Sequence, residues 1–228
     1  MTHVPVDSLF SVILLPTRPM VVKLLVVFLS CRKNRNLWGK LLQIVPNSII
    51  LCGSDKLTDT YQYNNRILMV KCPDTYDYLP TKVYLMIQSV LSIGEFQAIT
   101  HLLKLDDRDT QLNPKINQIV NRIPLTDYCG QRIHNQNGKK NGTRTWHFGK
   151  CPRHSPWYNK PYTGNYVPWL HGGCGYILSR KAMKLLSETR RTVINKHIYE
   201  DVMIALLLHQ HGIFPTKLPK IIEGDMRD

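Results

Sequence analysis

The sequence predicts an α/β domain with a mostly parallel central sheet and helices on both faces. Short apolar runs rich in β-branched residues alternate along the chain with segments of helical periodicity. The chain has 228 residues, of which 43% are hydrophobic, so it can bury one substantial core. Strands that alternate with helices are typical of parallel sheets, because a helix joins each strand to the next. We therefore expect residues 1–228 to form a single domain.

The first half of the chain predicts the centre of the sheet. Val21 to Ser30 and Ser48 to Cys52 are continuous apolar runs, which is typical of strands buried on both faces. Leu37 to Val45, between them, has apolar residues at helical spacing. Arg66 to Lys71 predicts a further strand, and Thr81 to Ile93 predicts an amphipathic helix after Pro80.

The second half begins with the strand Ala98 to Leu105, which runs into the acids Asp106-Asp107-Arg108-Asp109. The segment from Pro124 to Tyr166 is rich in Gly, Asn, Pro and aromatic residues, so we expect short strands and loops over the sheet edge. A glycine-rich turn at His171 precedes an apolar segment and a helix from Lys181 to Ser187. Tyr199 to Gln210 predicts the last helix, with acids in its first turn and Gly212 at its end.

The charge indicates anionic partners. Thirty Lys and Arg residues against 16 acids give a net charge of +14, which raises the local concentration of anions. The basic residues are scattered, and no basic arm interleaved with aromatic residues is found, so nucleic acid is the less favoured partner.

The six cysteines are widely spaced without a C-x-x-C pair, which favours reduced, buried thiols in a cytosolic protein. The apolar stretch from Leu9 to Ser30 is broken by Pro16, Arg18 and Pro19, so it is too short to span a bilayer. The glycosylation sequon at Asn141 would matter only in a secreted chain.

The acidic run after the strand at 98–105 is the first candidate site. Ligands of an open parallel sheet bind beyond the carboxyl ends of its strands. Clustered carboxylates repel one another unless a cation neutralises them, and hard divalent cations prefer oxygen ligands. Asp107 and Asp109 therefore fit a metal and phosphate site, whereas a solvated turn is the alternative for an isolated D-x-D.

Several short motifs in one order resemble the β-1,3-galactosyltransferase and Fringe-type glycosyltransferases through most of the chain. The motifs are RKNRNLWG at 32–39; Asp74, Tyr76, Leu79 and Lys82 as D-x-Y-x-x-L-x-x-K; Lys104, Asp106 and Asp107 as K-x-D-D; GGCGYILS at 172–179; and Glu200-Asp201-Val202, with Gly212 closing that helix. Two features depart from the family pattern. Arg108 stands where the third acid belongs, and no histidine after His211 matches the one that often binds the metal.

The resemblance implies a GT-A-type, Rossmann-like fold with a smaller irregular acceptor-side region. It implies a nucleotide-binding half at roughly 20–110 and an acceptor and catalytic half at 111–228. The expected donor is a nucleotide diphosphate sugar, UDP-linked by preference, and the expected cofactor is Mn²⁺ or Mg²⁺, bound by Asp107 and Asp109. The residues expected to contact the donor are Ser30, Arg32, Arg35, Asp74, Lys82, Asp106, Asp107 and Gly173.

The implied chemistry is inverting transfer with Asp201 as the general base, because the acceptor hydroxyl must lose a proton as it attacks. Favourable charge at a helix N-terminus is the structural alternative for Asp201. Lys82 could share the stabilisation of the diphosphate or pair with Asp77 or Asp106 as a solvated helix residue. Trp157, Tyr158 and Trp169 could stack on sugars or pack the core.

We expect a glycan or glycoprotein acceptor and a soluble monomer without a membrane span. The chain resembles catalytic domains of bacteria and large DNA viruses, including algal viruses, which implies a cytoplasmic enzyme, in the host cytoplasm if viral. A basic, non-catalytic module that binds acidic glycan or nucleic acid is the alternative function. A nucleotidyltransferase would need a glycine-rich triphosphate loop, which Ser30 to Arg35 lacks.

Overall fold

A computed structural model describes residues 22–108, 126–135 and 144–219. Asp109 and the sequon at Asn141 lie outside these described residues. The strands are β1 (Leu24–Leu29), β2 (Ser48–Gly53), β3 (Tyr61–Asn64), β4 (Ile67–Val70), β5 (His101–Asp106), β6 (Tyr128–Gly130), β7 (Ile133–His134), β8 (Trp169–Leu170), β9 (Tyr176–Ser179) and β10 (Thr216–Lys217). The α-helices are α1 (Arg35–Ile44), α2 (Leu79–Ser92), α3 (Arg180–Ser187), α4 (Arg191–Ile194) and α5 (Glu200–His209).

An eight-stranded sheet has the order β10-β6-β9-β5-β1-β2-β4-β3, and β7 and β8 form a separate pair. The four strands β5, β1, β2 and β4 are parallel. β9 and β3 pair antiparallel with the two ends of this parallel set. β6 and β10 extend the sheet beyond β9, so both halves of the sequence share one sheet.

Two apolar layers cover the faces of the sheet. On one face, Trp38 and Leu41 of α1 pack with Val26 and Phe28 of β1. On the other face, α2, α3 and α5 bury a larger set of side chains against the alternate residues of the same strands. The strands β1, β2 and β5 are mostly apolar because both of their faces are covered, and Lys104 of β5 is an exception that is buried all the same.

The structure confirms the α/β fold with a mostly parallel central sheet flanked by helices, as the GT-A resemblance implied. In the region expected on the acceptor side, the described residues include turns at 144–158 and the short pair β7 and β8. β3 was not predicted, and it pairs with β4 through a turn in which Asn65 and Arg66 have positive φ. No helix in the described ranges is long and apolar enough to cross a membrane. All six cysteines are free thiols, and five of them are buried.

Candidate active site

A cleft of about 250 Å³ opens where the carboxyl ends of β1 and β5 meet the first turn of α5. This is the position at which parallel sheets bind ligands. Asp106 and Asp201 both line the cleft, and so does the glycine turn at Gly172 and Gly173. Its other lining residues are Leu29, Tyr76, Leu79, Lys104, Trp146, Lys150, His171, Ile198, Tyr199 and Glu200.

A buried lysine ties three segments together at the base of the cleft. The ammonium of Lys104 lies 2.6 Å from Asp106 Oδ1 and 2.9 Å from Glu200 Oε1, and it donates to the carbonyl of Gly172 at 3.0 Å. Tyr176 donates its hydroxyl to Glu200 Oε2 at 2.7 Å. Lys104 therefore fixes β5, the glycine turn and the start of α5 relative to one another.

The charges of this network are set by burial and pairing. Burial opposes the charge of Lys104, but the carboxylates of Asp106 and Glu200 outweigh it and raise the pKa of Lys104. Burial raises the pKa of Glu200, and Lys104 acts in the opposite direction. Lys104 is therefore protonated, and its ammonium is paired with the carboxylates of Asp106 and Glu200.

Asp201 is held by backbone amides at the side of the cleft. Its Oδ2 accepts a hydrogen bond from the N–H of Gly172 at 3.0 Å. Its Oδ1 accepts one from the N–H of the next residue, Val202, at 2.8 Å. Burial raises the pKa of Asp201, whereas the amide of Gly172 and the charge of Lys104 lower it, and burial is the largest of these effects. A carboxylate with a raised pKa is a stronger base than an ordinary aspartate.

Asp107 lies beneath the rim, and its carboxylate is already bonded within the protein. Asp107 Oδ2 accepts the hydroxyl of Ser30 and the amide of Asn34, both at 2.7 Å. Trp38 donates its indole N–H to Ser30 Oγ at 2.8 Å. Ser30 and Asp107, predicted as donor contacts, therefore lie together at the end of β1 and β5, and they fix the loop that follows β1.

Asp74 and Lys82 form a second buried pair beside that loop. Asp74 accepts the backbone N–H of Arg32 at 2.6 Å and that of Gly53 at 2.8 Å, and its Oδ1 is 2.5 Å from Lys82 Nζ. The side chain of Lys82 is only 2% exposed, and it also donates to the carbonyl of Ser30 at 3.2 Å. The alternative of a solvated Lys82 paired with Asp77 or Asp106 is excluded, because the lysine is buried and pairs with Asp74, whereas its role at the diphosphate stays a prediction.

The arginines predicted to contact the donor lie on the other side of the β1 loop. Arg32 and Arg35 line a second cavity, of about 490 Å³, between α1 and the β3–β4 hairpin. Arg32 Nη2 donates to Ser54 Oγ at 2.8 Å. The structure therefore does not bring Arg35 to the cleft that holds Asp106 and Asp201.

The glycine turn requires small residues because the cleft wall is close. A Cβ at Gly172 would lie 2.6 Å from Glu200 Oε1, and one at Gly173 would lie 3.0 Å from the ring of His171. Gly175 has a φ of +75°, and its backbone approaches Lys104 and Leu105. The predicted site residue Gly173 thus lies in the cleft, between His171 and Asp106.

A divalent metal does not find a complete ligand set among the described residues. No group of three His, Cys, Asp or Glu side chains in these ranges could hold a metal ion. Asp107 is bonded to Ser30 and Asn34, one oxygen of Asp106 faces Lys104, and Arg108 occupies the next position. Asp109, the other predicted ligand, lies outside the described residues.

Trp146 and Lys150 are among the cleft residues that were not predicted from the sequence. Trp146 and Lys150 come from the turn-rich segment that gave no periodic signal, and both line the cleft. Trp169, which was considered for sugar stacking, is buried and stacks on His134 with ring centroids 5.2 Å apart. Trp157 packs against the core, so these two aromatics follow the core-packing alternative.

An α/β sheet with acids at the end of a strand, and a carboxylate at the start of a helix in the same cleft, fits a sugar-transfer enzyme. The chain belongs to the galactosyltransferase family, whose sequence model matches residues 55–219. This confirms the family resemblance, and it supports glycosyl transfer as the role of the cleft.

Comparison with solved structures gives a likeness to a glycosyltransferase involved in the glycosylation of the major capsid of PBCV-1. The two chains are 14% identical, and the match covers 75% of this chain and 65% of the other, with a TM-score of 0.31. The chain thus spans just under two thirds of that relative. Among curated proteins, no significant match is found.

Proposed function

We propose that the protein transfers a hexosyl or deoxyhexosyl group from a UDP-sugar to a hydroxyl of a glycan or glycoprotein. The observation that carries this proposal is the position of Asp201, whose carboxylate lines the same cleft as Asp106. Membership of the galactosyltransferase family supports a nucleotide sugar as the donor.

Asp201 acts as the general base of an inverting reaction. The acceptor hydroxyl gives its proton to the Asp201 carboxylate while its oxygen bonds to the anomeric carbon of the donor. The bond from that carbon to the diphosphate breaks at the same time, and its electron pair leaves on the phosphate oxygen. The two N–H groups that bond to Asp201 orient the carboxylate, and burial keeps it basic.

The β1 loop and the end of β5 receive the nucleotide. Asp74 and Lys82 hold this loop in shape from below, and Ser30 and Asp107 connect it to β5. The exposed Arg108, which directly follows Asp107, is a basic side chain that can offset the charge of the leaving diphosphate. Bound Mn²⁺ or Mg²⁺, which the family resemblance implies, would supply further positive charge there.

Binding of a divalent metal is a prediction, and none of the steps assigned to Asp201 requires it. Isothermal titration of UDP into the protein, with Mn²⁺, with Mg²⁺ and with EDTA, tests it directly. UDP binding that is equal in all three conditions would remove the metal from the proposal.

The transferase activity is tested with a panel of UDP-sugars. Turnover is measured as the release of UDP in the wild type, Asp201→Asn and Asp107→Ala. We expect Asp201→Asn to bind UDP as the wild type does but to lose turnover, because the proposed base is removed and the proposed nucleotide contacts are not. Asp107→Ala is expected to weaken UDP binding, because the β1 loop loses its bond to β5. If both folded variants release UDP at the wild-type rate, the cleft is not the site of transfer, and the non-catalytic alternative gains support.

A further inference from the structure

Trp146 differs from the other tryptophans in its exposure. The chain has four tryptophans. Trp38 and Trp169 are buried, and Trp157 packs against the core, whereas Trp146 is 54% exposed. Burial of an indole is strongly favourable, so a large exposed ring in a cleft wall leaves apolar surface available to a ligand.

Lys150 covers one face of this ring. Its ammonium lies 4.0 Å from the centroid of the Trp146 ring and 5.3 Å from that of Tyr76. Within the described ranges, no carboxylate lies within salt-bridge distance of Lys150. Loss of hydration between the rings lowers the pKa of Lys150. The cation therefore stabilises the ring orientation, and a ligand that stacks on Trp146 has to use the face that Lys150 leaves free.

The segment that carries Trp146 is anchored to Tyr199, which directly precedes Glu200 and the proposed base Asp201. His147 is fully buried, and its Nδ1 lies 2.8 Å from the hydroxyl of Tyr199. Its Nε2 lies 2.9 Å from the carbonyl of Lys160. Because Tyr199 directly precedes Glu200 and Asp201, the position of the Trp146 ring is fixed relative to the base.

The acceptor and the donor of the proposed reaction have to enter the cleft from different sides. The proposed donor contacts lie on the loops after β1 and β5, and the donor sugar leads from them to the glycine turn. Trp146 and Lys150 belong to the separate segment at 144–151, and they line the cleft together with Asp201. An acceptor hydroxyl has to reach Asp201 from the side that the nucleotide leaves free.

We propose that Trp146 is the stacking platform for the acceptor sugar, with Lys150 as a positioning residue that holds the indole ring from its other face. This inference rests on the proposed function and assigns the acceptor side of its cleft. A pyranose ring presents C–H groups on one face, and these contact the negative face of an indole, while its hydroxyls remain free for polar contacts. The ligand class is thus a neutral pyranoside at the end of a glycan.

The experiment is saturation-transfer NMR on the UDP-loaded protein with four probes, the methyl glycosides of galactose, glucose, N-acetylglucosamine and rhamnose. Wild type is compared with Trp146→Ala, Trp146→Phe and Lys150→Met. Phe214→Ala is the matched control, because Phe214 is an aromatic of similar exposure, 58%, that does not line the cleft. UDP affinity is measured for every variant by calorimetry.

We expect at least one glycoside to bind the wild type and to lose about tenfold in affinity in Trp146→Ala, which corresponds to about 1.4 kcal/mol. Trp146→Phe should keep most of the binding, Lys150→Met should lose part of it, and Phe214→Ala should match the wild type. Unchanged glycoside binding in Trp146→Ala, or no glycoside binding to the wild type, would overturn the inference. A parallel fall in UDP affinity in Trp146→Ala would move the ring to the donor side and also overturn it.

The two proposals fail separately. If the wild type does not bind UDP at all, the proposed transferase fails. If UDP binds with equal affinity to every variant and the glycosides ignore Trp146, only the acceptor platform fails.

Discussion

Replacing Lys104 by methionine removes the cation that holds β5, the glycine turn and α5 together. Methionine keeps the length of the side chain and its apolar stem, so the packing around the stem is preserved. What is lost is the charge that faces Asp106 and Glu200, together with the bond to the carbonyl of Gly172. The variant therefore isolates the electrostatic role of the lysine.

The two carboxylates contribute unequally. The side chain of Asp106 is 41% exposed, so water can solvate its carboxylate when Lys104 is removed. The pair of Lys104 and Asp106 therefore contributes about 0–1 kcal/mol to the free energy of unfolding. The side chain of Glu200 is 6% exposed, and without Lys104 it keeps the hydroxyl of Tyr176 as a side-chain partner. Removal of one partner of a buried ion pair costs about 3–5 kcal/mol, and we expect a loss in that range.

The loss should depend on pH. Burial already raises the pKa of Glu200, and removal of Lys104 raises it further, because the lysine opposes that shift. A raised folded-state pKa means that stability is present at low pH, where Glu200 is protonated, and is lost as pH rises through the raised pKa. The variant should therefore be closer to wild type at pH 5 than at pH 8.

Urea unfolding followed by far-UV circular dichroism, at pH 5 and pH 8, measures the free energy of unfolding. Lys184→Met is the matched control, because the same substitution at an exposed position of α3 should change stability by no more than about 0.5 kcal/mol. The double variant Lys104→Met with Glu200→Gln should recover much of the loss, because no buried charge is left unpaired. A loss below about 1 kcal/mol in Lys104→Met, equal at both pH values, would refute this account of the network.

Three further variants test the cleft. Asp201→Asn should lower kcat by about 10²–10⁴-fold, while the free energy of unfolding at pH 7 should change by no more than about 1 kcal/mol, because removal of an acid with a raised pKa offsets the loss of one of its two backbone N–H bonds. In the wild type, kcat should fall as the pH is lowered. The midpoint of this fall should lie above 3.8, the ordinary pKa of aspartate, because burial raises the pKa of Asp201. Gly172→Ala should destabilise by about 1–3 kcal/mol in thermal unfolding, since its Cβ meets Glu200, whereas Gly39→Ala, with open space in α1, should stabilise by about 0.5–1 kcal/mol. Asp74→Asn should weaken UDP binding and lower the free energy of unfolding, because the buried ammonium of Lys82 loses its carboxylate partner.

The central strands were predictable because their environment leaves a clear pattern. β1, β2 and β5 are covered on both faces, so each is a mostly apolar run in the sequence, which only Lys104 interrupts within β5. β3 has no such run, since its YQYN alternates between partly buried and exposed positions at the sheet edge. β6 has only three residues, and its place between β9 and β10 depends on pairing with distant segments.

The candidate site was predicted in part. The order of motifs indicated that Asp106 and Asp201 belong to one site, and the cleft brings them together. The pairing of Lys104 with Glu200 was not predicted, because a lysine inside an apolar strand gives no sign of which distant acid it meets. Trp146 and Lys150 gave no signal either, since they lie in a segment without periodicity, and only the tertiary fold shows which aromatics remain exposed.

The helix α5 is buried along nearly its whole length and packs against α2, α3 and β8. Its first turn, with Asp201, cannot shift without opening the apolar layer on that face of the sheet. The rim at Trp146 is built from turns and carries no comparable load of buried side chains. Mutations that alter which glycan is modified can therefore accumulate at the rim while the chemistry stays constant, so acceptor choice can diverge among relatives faster than the reaction itself.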